Sequence, residues 1–317
     1  METRELGRSG IHVPPVMFGC NVLGWTADEA TSFRLLDALL DAGLCALDTA
    51  DVYSAWAPGH QGGESEAVIG RWLKARGGRE RVVIATKVGL KMGSGGEGLS
   101  RAWITQSVED SLRRLQTDHI DLYQAHRDDP NTLLEETLDA FAGLIRAGKV
   151  RAIGASNYTA PRLQEALRTS ERLGLPRYES LQPHYNLVER ALFEGELDRV
   201  CLEEGVGVIP YFALAAGFLT GKYRSEADLG KSPRGERNAR KYLENPRGPR
   251  VLAALDETAA RLGAKPGEVA IAWLIARPAV TAPIASATNL DQLGGLARAA
   301  TLRLDAEAME ALDRVSA

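Results

Sequence analysis

Cysteine is scarce in this chain of 317 residues. The three cysteines, Cys20, Cys45 and Cys201, are odd in number, and no two lie closer than 25 residues. This spacing argues against a disulfide framework and against a thiolate zinc site, and it favours a reducing compartment. We therefore expect a cytoplasmic protein.

The sequence also lacks strong charge and long apolar runs. Its formal net charge is −4, and no run of lysine and arginine exceeds two residues, which argues against a nucleic-acid or anionic-membrane partner. The longest apolar stretch, residues 206–219, contains glycine and proline, and the amino-terminal METRELGRSG is polar. We expect neither a membrane span nor a signal peptide.

Metal-binding patterns are missing as well. The histidines stand at positions 12, 60, 119, 126 and 184 and form neither an H-x-H nor an H-E-x-x-H pattern. A metal-dependent barrel hydrolase, which would need clustered histidine and carboxylate ligands, is the weaker alternative. We expect no metal site.

The composition of the sequence is that of an ordinary globular protein, and its apolar runs recur at regular intervals along the chain. Hydrophobic residues make up 44% and charged residues 25% of the chain. Short apolar runs alternate with helical patterns. They start near Val16, Leu44, Val82, Ile120, Val150, Glu179, Val206 and Ala279. Eight parallel strands with intervening helices predict an α/β fold, a closed (β/α)8 TIM barrel forming a single domain over residues 1–317.

Two other architectures compete with the barrel. Helix-pair repeats of roughly 34 residues give similar spacing, but β-branched runs such as VVI at residues 82–84 disfavour them. A nine-strand or open sheet stays an alternative. Outside the repeat we predict an amino-terminal β-hairpin over residues 1–13, and a long mobile loop over the barrel rim at residues 225–249, after strand 7.

Capping residues predict where some of the helices begin. Ser100 should cap one helix, and a capping box from Thr132 to Glu135 should open the helix that runs through Ile145. Asp128 and Asp129, just before it, fit turn and cap residues better than ligands. Near the carboxyl terminus, residues 251–262, 268–276 and 289–297 should be helical, with a last helix from Asp305.

Four polar side chains mark the ends of consecutive strands. LCALDTADVY, residues 44–53, ends a strand at Asp48 and places Tyr53 on the following loop. Lys87 ends VVIATK, and His126 ends DLYQAH. Because consecutive strands are neighbours in a barrel, these side chains should converge at one rim.

Such a set can transfer a proton. A buried lysine should favour the phenolate of Tyr53 and lower its pKa, and Asp48 should keep that lysine charged. His126 can orient a substrate oxygen. Reducing a carbonyl also needs a hydride, which no side chain supplies, and a nicotinamide cofactor would provide it.

The chain resembles the aldo-keto reductase family over essentially its whole length. The resemblance is to the branch related to sugar-oxidising bacterial reductases and potassium-channel β-subunits. It is carried by RELGRSG, LDTADVY with GGESEAVIGRWL, ATKVG, DLYQAHRDDP, GKVRAIGASNY, LQPHYNLVER and VIPYFALAAGFLTGKY. One of these motifs alone would not be specific, but together they are.

The resemblance implies roles for individual residues. Asp48, Tyr53, Lys87 and His126 match the catalytic tetrad, with Tyr53 as general acid. Ser156, Asn157 and Gln182 match residues that hold the nicotinamide carboxamide, and Tyr211 matches the aromatic that stacks on its ring. The remaining cofactor-binding positions implied are Gly19, Cys20, Asp48, Phe212, Leu214, Ala215, Gly217, Lys222, Ser286, Thr288 and Gln292. Trp25 and Trp56 follow the first two strands and could line a substrate pocket, although a rim or core position explains them equally well.

One glycine-rich segment matches a dinucleotide-binding motif but lies in the wrong context. GSGGEG at residues 93–98 satisfies G-x-G-x-x-G, the fingerprint of dinucleotide-binding folds. It begins six residues after Lys87, whereas the fingerprint forms the strand-to-helix turn itself. We interpret it as a flexible loop.

The sequence departs from the family pattern in PIASATNLDQL, where Thr288 stands about where the family usually has a cation for the adenosine 2′-phosphate. The neighbouring Ser286, Asn289 and Gln292 are neutral. The family default is NADPH, so we expect NADPH ahead of NADH with a weakened preference.

The expected partner is a small carbonyl or alcohol substrate. Both a monomer and an oligomer remain open, and a cofactor-binding regulatory subunit is the alternative to an enzyme.

Overall fold

The computed structural model describes residues 1–93, 95–232 and 235–317, with only the backbone at 236 and 237. It opens with the predicted hairpin, in which β1 (Arg4–Glu5) pairs antiparallel with β2 (His12–Val13). Gly7 and Gly10 form its turn with φ of +62° and +71°. The hairpin buries Leu6, Ile11 and Val13 against the barrel interior. It therefore closes the end of the barrel opposite the strand carboxyl ends.

The main sheet contains eight parallel strands within the described ranges, as the repeat predicted. They are β3 (Met17–Gly19), β4 (Ala46–Asp48), β5 (Val83–Val88), β6 (Ile120–Ala125), β7 (Val150–Ser156), β8 (Tyr178–Gln182), β9 (Gly207–Val208) and β10 (Ile284–Ala285). Their order is β10-β3-β4-β5-β6-β7-β8-β9. Val208 bridges to Val280, and the Ile284 amide donates to Pro210 O at 2.9 Å, so β9 and the β10 segment close the barrel.

The last strand begins later than expected. We predicted an apolar run from Ala279, but β10 covers only Ile284–Ala285. Pro278 and Pro283 interrupt this segment, and proline cannot donate to a strand ladder. The residues between them join β9 through the isolated bridge at Val280 and a hydrogen bond from the Ala282 amide to Val208 O at 3.3 Å, without forming a continuous strand.

Helices surround the barrel. They are α1 (Glu29–Asp41), α2 (Glu64–Arg76), α3 (Arg101–Leu115), α4 (Leu134–Arg146), α5 (Ala160–Leu173), α6 (Glu196–Glu204), α7 (Arg240–Glu244), α8 (Arg247–Leu262), α9 (Pro266–Ile275), α10 (Leu290–Thr301) and α11 (Ala306–Ser316). No helix in the described ranges is both long and apolar enough to cross a bilayer.

Ser100 caps α3 as predicted, accepting a hydrogen bond from the Trp103 amide at 3.3 Å. The prediction of a capping box at α4 was wrong, because α4 begins after Leu133 and no side chain caps it there. Thr132 Oγ1 instead donates to Asp129 Oδ2 at 2.7 Å. Asp129 also accepts from the Leu99 amide, so it fixes the turn before the helix, while Asp128 pairs with Arg162. No metal-binding cluster occurs in the described part of the chain.

The segment after β9 differs from the long mobile loop that we expected. It forms helical turns at Ala215–Thr220, Glu226–Lys231 and Gly235–Ala239, followed by α7 and an α8 that starts at Arg247 instead of Val251. Leu229 and Tyr242 are buried, and Tyr242 stacks on Phe218 at 5.8 Å. These apolar anchors order the insertion. Ser94, Pro233 and Arg234, which fall in the two predicted loops, lie outside the described residues.

Close packing of α2 on α3 depends on a glycine. A Cβ at Gly70 would lie 2.0 Å from Arg114 O and 2.8 Å from the Leu115 carbonyl carbon. Backbone atoms cannot move aside as a flexible side chain can. The helices therefore approach this closely only because residue 70 has no side chain.

We predict that Gly70→Ala lowers the free energy of unfolding by roughly 1 to 3 kcal/mol, the usual cost of overpacking. Gly143→Ala in α4 is the matched control, because its Cβ would meet only Arg146 Nη2 at 3.9 Å. That change should stabilise by about 0.5 to 1 kcal/mol through helix propensity. Urea unfolding measures both, and equal effects at the two sites would contradict the packing argument.

Candidate active site

The polar side chains predicted to converge do lie together at the carboxyl ends of β4, β5 and β6. Asp48 ends β4, Lys87 lies near the end of β5, and His126 directly follows β6. The Tyr53 loop, residues 48–53, first continues alongside β5 in the direction of β4, with the Thr49 amide donating to Ala85 O at 2.8 Å and the Asp51 amide to Lys87 O at 3.2 Å. These backbone bonds hold the Tyr53 loop to the strand that carries Lys87.

Lys87 is the centre of the cluster. Its Nζ donates to Asp48 Oδ2 at 2.8 Å, to Thr49 O at 2.7 Å and to Tyr53 Oη at 3.0 Å. The side chain has no exposed surface. An ammonium group carries three donors, and here each has an acceptor, so the buried charge is both paired and solvated by the protein.

The electrostatics keep Tyr53 protonated. Burial raises the pKa of Tyr53, and this outweighs the lowering by Lys87. We had expected a lowered pKa for Tyr53. The free energy lost by removing a phenolate from water is larger than the stabilisation that it gains from one ammonium group shared with Asp48. Burial lowers the pKa of Lys87, yet Asp48 and Tyr53 together outweigh it and the net pKa is raised. Near neutral pH the pair is therefore a phenol hydrogen-bonded to an ammonium group.

Asp48 is held from its other side by two amides. Its Oδ1 accepts from Gln182 Nε2 at 2.9 Å and from Gln124 Nε2 at 3.5 Å. Gln182 was assigned only to a cofactor, whereas its amide nitrogen here orients a carboxylate. Gln124 was missed, although it lies on β6 two residues before His126, and side chains two residues apart along an extended chain point to the same side.

His126 contributes a neutral imidazole. Its pKa is well below the ordinary value because of burial, with Lys87 and Arg127 lowering it further. Its ring lies edge-on to that of Tyr53 with centroids 5.9 Å apart. Nδ1 is buried without a hydrogen-bond partner among the described atoms. A neutral ring at this position can exchange a hydrogen bond with a ligand oxygen.

A cleft of about 970 Å³ opens above these residues. Thirteen of the fifteen predicted cofactor positions line it, and two do not. Those that line it, besides the shared Asp48, are Gly19, Ser156, Asn157, Gln182, Tyr211, Phe212, Leu214, Gly217, Lys222, Ser286, Thr288 and Gln292. Cys20 and Ala215 are fully buried beneath it, and the Cys20 thiol faces Phe18 O at 3.5 Å.

The cleft has features that suit a nicotinamide dinucleotide. Tyr211 stacks on His184 with ring centroids 5.3 Å apart and donates to Asn157 Oδ1 at 2.8 Å, so it is a fixed aromatic surface. Lys222 lines the cleft beside a turn in which Ala216 and Gly217 have φ of +57° and +91°. A cation beside a left-handed turn is chemically suited to a diphosphate.

A family model for the aldo/keto reductase family matches residues 15–317. The chain belongs to this family. It is 36% identical to the uncharacterized oxidoreductase YrpG of Bacillus subtilis over 99% of this chain and 96% of that protein. It is 33% identical to the aldo-keto reductase YhdN of Bacillus subtilis over 97% and 91%, and 32% identical to protein tas of Escherichia coli over 92% and 91%. The chain is therefore an oxidoreductase of the aldo/keto reductase family.

The expected substrate aromatics lie at the cleft of this aldo/keto reductase. Trp56 packs edge-on to Tyr53 at 5.5 Å and to Trp25 at 5.6 Å, and both tryptophans line the cleft. Val22 and Leu90 also line it, and sequence reasoning missed them. Leu90 follows Lys87 by three residues. Its position just after the end of β5 could have predicted that it lies at the cleft.

The opposite part of the cleft contains a cation that we did not predict. Ser286 Oγ donates to Asn21 Oδ1 at 2.8 Å, and the Thr288 amide donates to Gln292 Oε1 at 2.9 Å. Lys265 also lines the cleft, and its Nζ lies 3.2 Å from Asp291 Oδ2. Lys265 is thus already paired with a carboxylate.

We predict that Lys87→Met lowers the free energy of unfolding by roughly 3 to 5 kcal/mol, because it leaves the Asp48 carboxylate buried without its cation. The double variant Lys87→Met with Asp48→Asn should recover part of this loss, since both charges are then gone. Chemical unfolding of the two single variants and the double variant gives the coupling. Strict additivity of the two changes would show that the ion pair is not the reason.

Proposed function

We propose that this protein is an NAD(P)H-dependent reductase of aldehydes or ketones, able to run in reverse on an alcohol or sugar, with Tyr53 as general acid and base. The observation that carries the proposal is the buried Lys87 ammonium, which donates at once to the Asp48 carboxylate and to the Tyr53 hydroxyl at the base of the cleft. A phenol held in this way can donate its proton to a substrate oxygen and receive support from the ammonium as charge develops.

The neighbouring side chains position this proton donor. Asp48 keeps Lys87 charged, and Gln182 holds the free oxygen of Asp48. His126, neutral and edge-on to Tyr53, is placed to hydrogen-bond the substrate oxygen. Trp25 and Trp56 bound the same space with aromatic surface, which excludes water and restricts the orientation of a substrate.

The residues of the cleft fit a nicotinamide cofactor, which supplies the hydride when bound. Tyr211 would hold the nicotinamide ring, and Ser156, Asn157 and Gln182 would hold its carboxamide. Phe212, Leu214, Gly217 and Lys222 would hold the diphosphate. Ser286, Thr288 and Gln292 would contact the adenosine, with NADPH preferred over NADH by a small margin.

The proposal is tested by following nicotinamide absorbance with a panel of aldehydes, ketones and sugars, using each cofactor in both directions. Cofactor binding is measured separately by quenching of tryptophan fluorescence. Binding together with turnover supports the enzyme. Binding without turnover across the whole panel would favour the regulatory-subunit alternative, and the absence of binding would contradict the cofactor assignment.

We predict that Tyr53→Phe lowers kcat for carbonyl reduction by about 100- to 10,000-fold, the usual contribution of general acid catalysis. Cofactor Kd should stay close to the wild-type value, because the ring still packs. Tyr158→Phe is the matched control, since its hydroxyl meets Tyr178 Oη at 3.3 Å away from the cleft. A Tyr53→Phe variant with more than roughly a tenth of wild-type kcat would refute the assignment.

We also predict that Thr288→Arg increases the preference for NADPH over NADH by roughly 3- to 30-fold, the difference between a charge-assisted and a neutral hydrogen bond. Added salt should reduce this gain. Thr288→Gln, long but uncharged, is the control. The measurement is Kd for both cofactors. A strong wild-type preference for NADPH that the arginine leaves unaltered would show that another residue holds the phosphate.

A further inference from the structure

Behind the Lys87 strand lies a buried polar cluster that the proposed mechanism does not use. Glu66 of α2 has no exposed surface. Its Oε1 accepts from Thr86 Oγ1 at 2.6 Å, and its Oε2 accepts from Arg114 Nε at 2.7 Å. This carboxylate and this guanidinium therefore form a matched pair, with the carboxylate satisfied on both oxygens.

Asp51 is a second carboxyl group in the same cluster, and it belongs to the Tyr53 loop. Its amide donates to Lys87 O at 3.2 Å, and its Oδ2 accepts from Ser107 Oγ of α3 at 3.1 Å. It has no exposed surface, and its Oδ1 has no hydrogen-bond partner among the described atoms. Asp51 thus joins the loop that carries Tyr53 to both β5 and α3.

The charges around Asp51 do not balance if it is ionised. The ionisable groups that face it are Glu66 of α2, Arg114 of α3 and Tyr123 of β6. Arg114 already pairs with Glu66. A second carboxylate would therefore be buried without a cation of its own, which is costly in a protein interior. A neutral carboxylic acid avoids that cost, and the free Oδ1 has room in its hydrogen bonding for the proton.

We propose that Asp51 is a positioning residue held as a neutral carboxylic acid, and that its ionisation displaces the Tyr53 loop and weakens proton transfer by Tyr53. The part concerning proton transfer rests on the proposed function. The part concerning the neutral acid and the loop stands on the buried cluster itself.

The direction of the titration follows from the surroundings. The pKa of Asp51 is raised to about 7, mainly by burial and then by the charge of Glu66, while the hydrogen bond from Ser107 and the charge of Arg114 lower it by less. In the unfolded chain an aspartate titrates near 4. The neutral form therefore contributes stability that is complete below about pH 4 and is lost as the pH rises to about 7.

The kinetic test compares the wild type with Asp51→Asn, a neutral isostere, and with Asp41→Asn, a matched change at an exposed site in α1. Wild-type kcat should fall between about pH 6 and 8, by up to about 100-fold, the loss expected when a catalytic group is misplaced by 1 Å. Asp41→Asn should show the same fall. Asp51→Asn should keep the acid-side kcat through pH 8, with cofactor Kd unchanged.

A second variant tests the direction of the effect. Glu66→Gln removes the competing negative charge and frees Arg114 for Asp51, so the fall in kcat should move to lower pH. The proposal is overturned if wild-type kcat is flat over this pH range. It is also overturned if Asp51→Asn shows the wild-type fall, or if Asp51→Asn is inactive or unfolded at every pH.

Thermal unfolding separates this inference from the proposed function, because it needs no turnover. The Tm of Asp51→Asn relative to wild type should rise by a few degrees as the pH increases from 4 to 8. A protein without reductase activity that shows this rise would keep the neutral Asp51 and lose only the proposed function. An active enzyme whose two Tm profiles run parallel would lose the Asp51 inference alone.

Discussion

The buried ammonium group of Lys87 joins the chemistry of this protein to its fold. It donates to a side chain at the end of β4, to the backbone carbonyl of Thr49 and to the hydroxyl of Tyr53. A charge without contact with water must be satisfied by the protein, and here all three donors are used in the Tyr53 loop. The position of the proton donor and the stability of the barrel rim are therefore set by the same group.

The constraint extends outward through carboxylates. Asp48, which neutralises Lys87, is itself oriented by the amide of Gln182 from β8. On the other side of β5, Glu66 pairs with Arg114 and leaves Asp51 without a cation. Among the fully buried side chains described beside β5, Lys87 pairs with Asp48 and Glu66 with Arg114, which leaves the Asp51 carboxyl group without a cation. A buried carboxylate that has a cation stays charged, whereas Asp51, which has none, titrates near neutral pH.

The sequence indicated much of this arrangement because parallel α/β folds leave periodic signals. Apolar runs ending in Asp48, Lys87 and His126 located the strand ends, and neighbouring strands in a barrel bring such ends together. The extra segment after β9 was harder to interpret. Its polar, glycine-containing composition suggested a mobile loop, whereas Leu229 and Tyr242 order it into helical turns. Two scattered anchors give no periodicity to detect.

By itself the sequence determined the eight-stranded alternation, the family and the set of polar residues at the rim, because these follow from local pattern and motif. Only the tertiary structure decided how those residues are charged. The net pKa of Tyr53 is raised, not lowered, because burial outweighs its ammonium neighbour. Gln124, Lys265 and Asp51 acquire their roles through partners far away in the chain. Desolvation and long-range pairing depend on the packed three-dimensional surroundings, which sequence spacing does not specify.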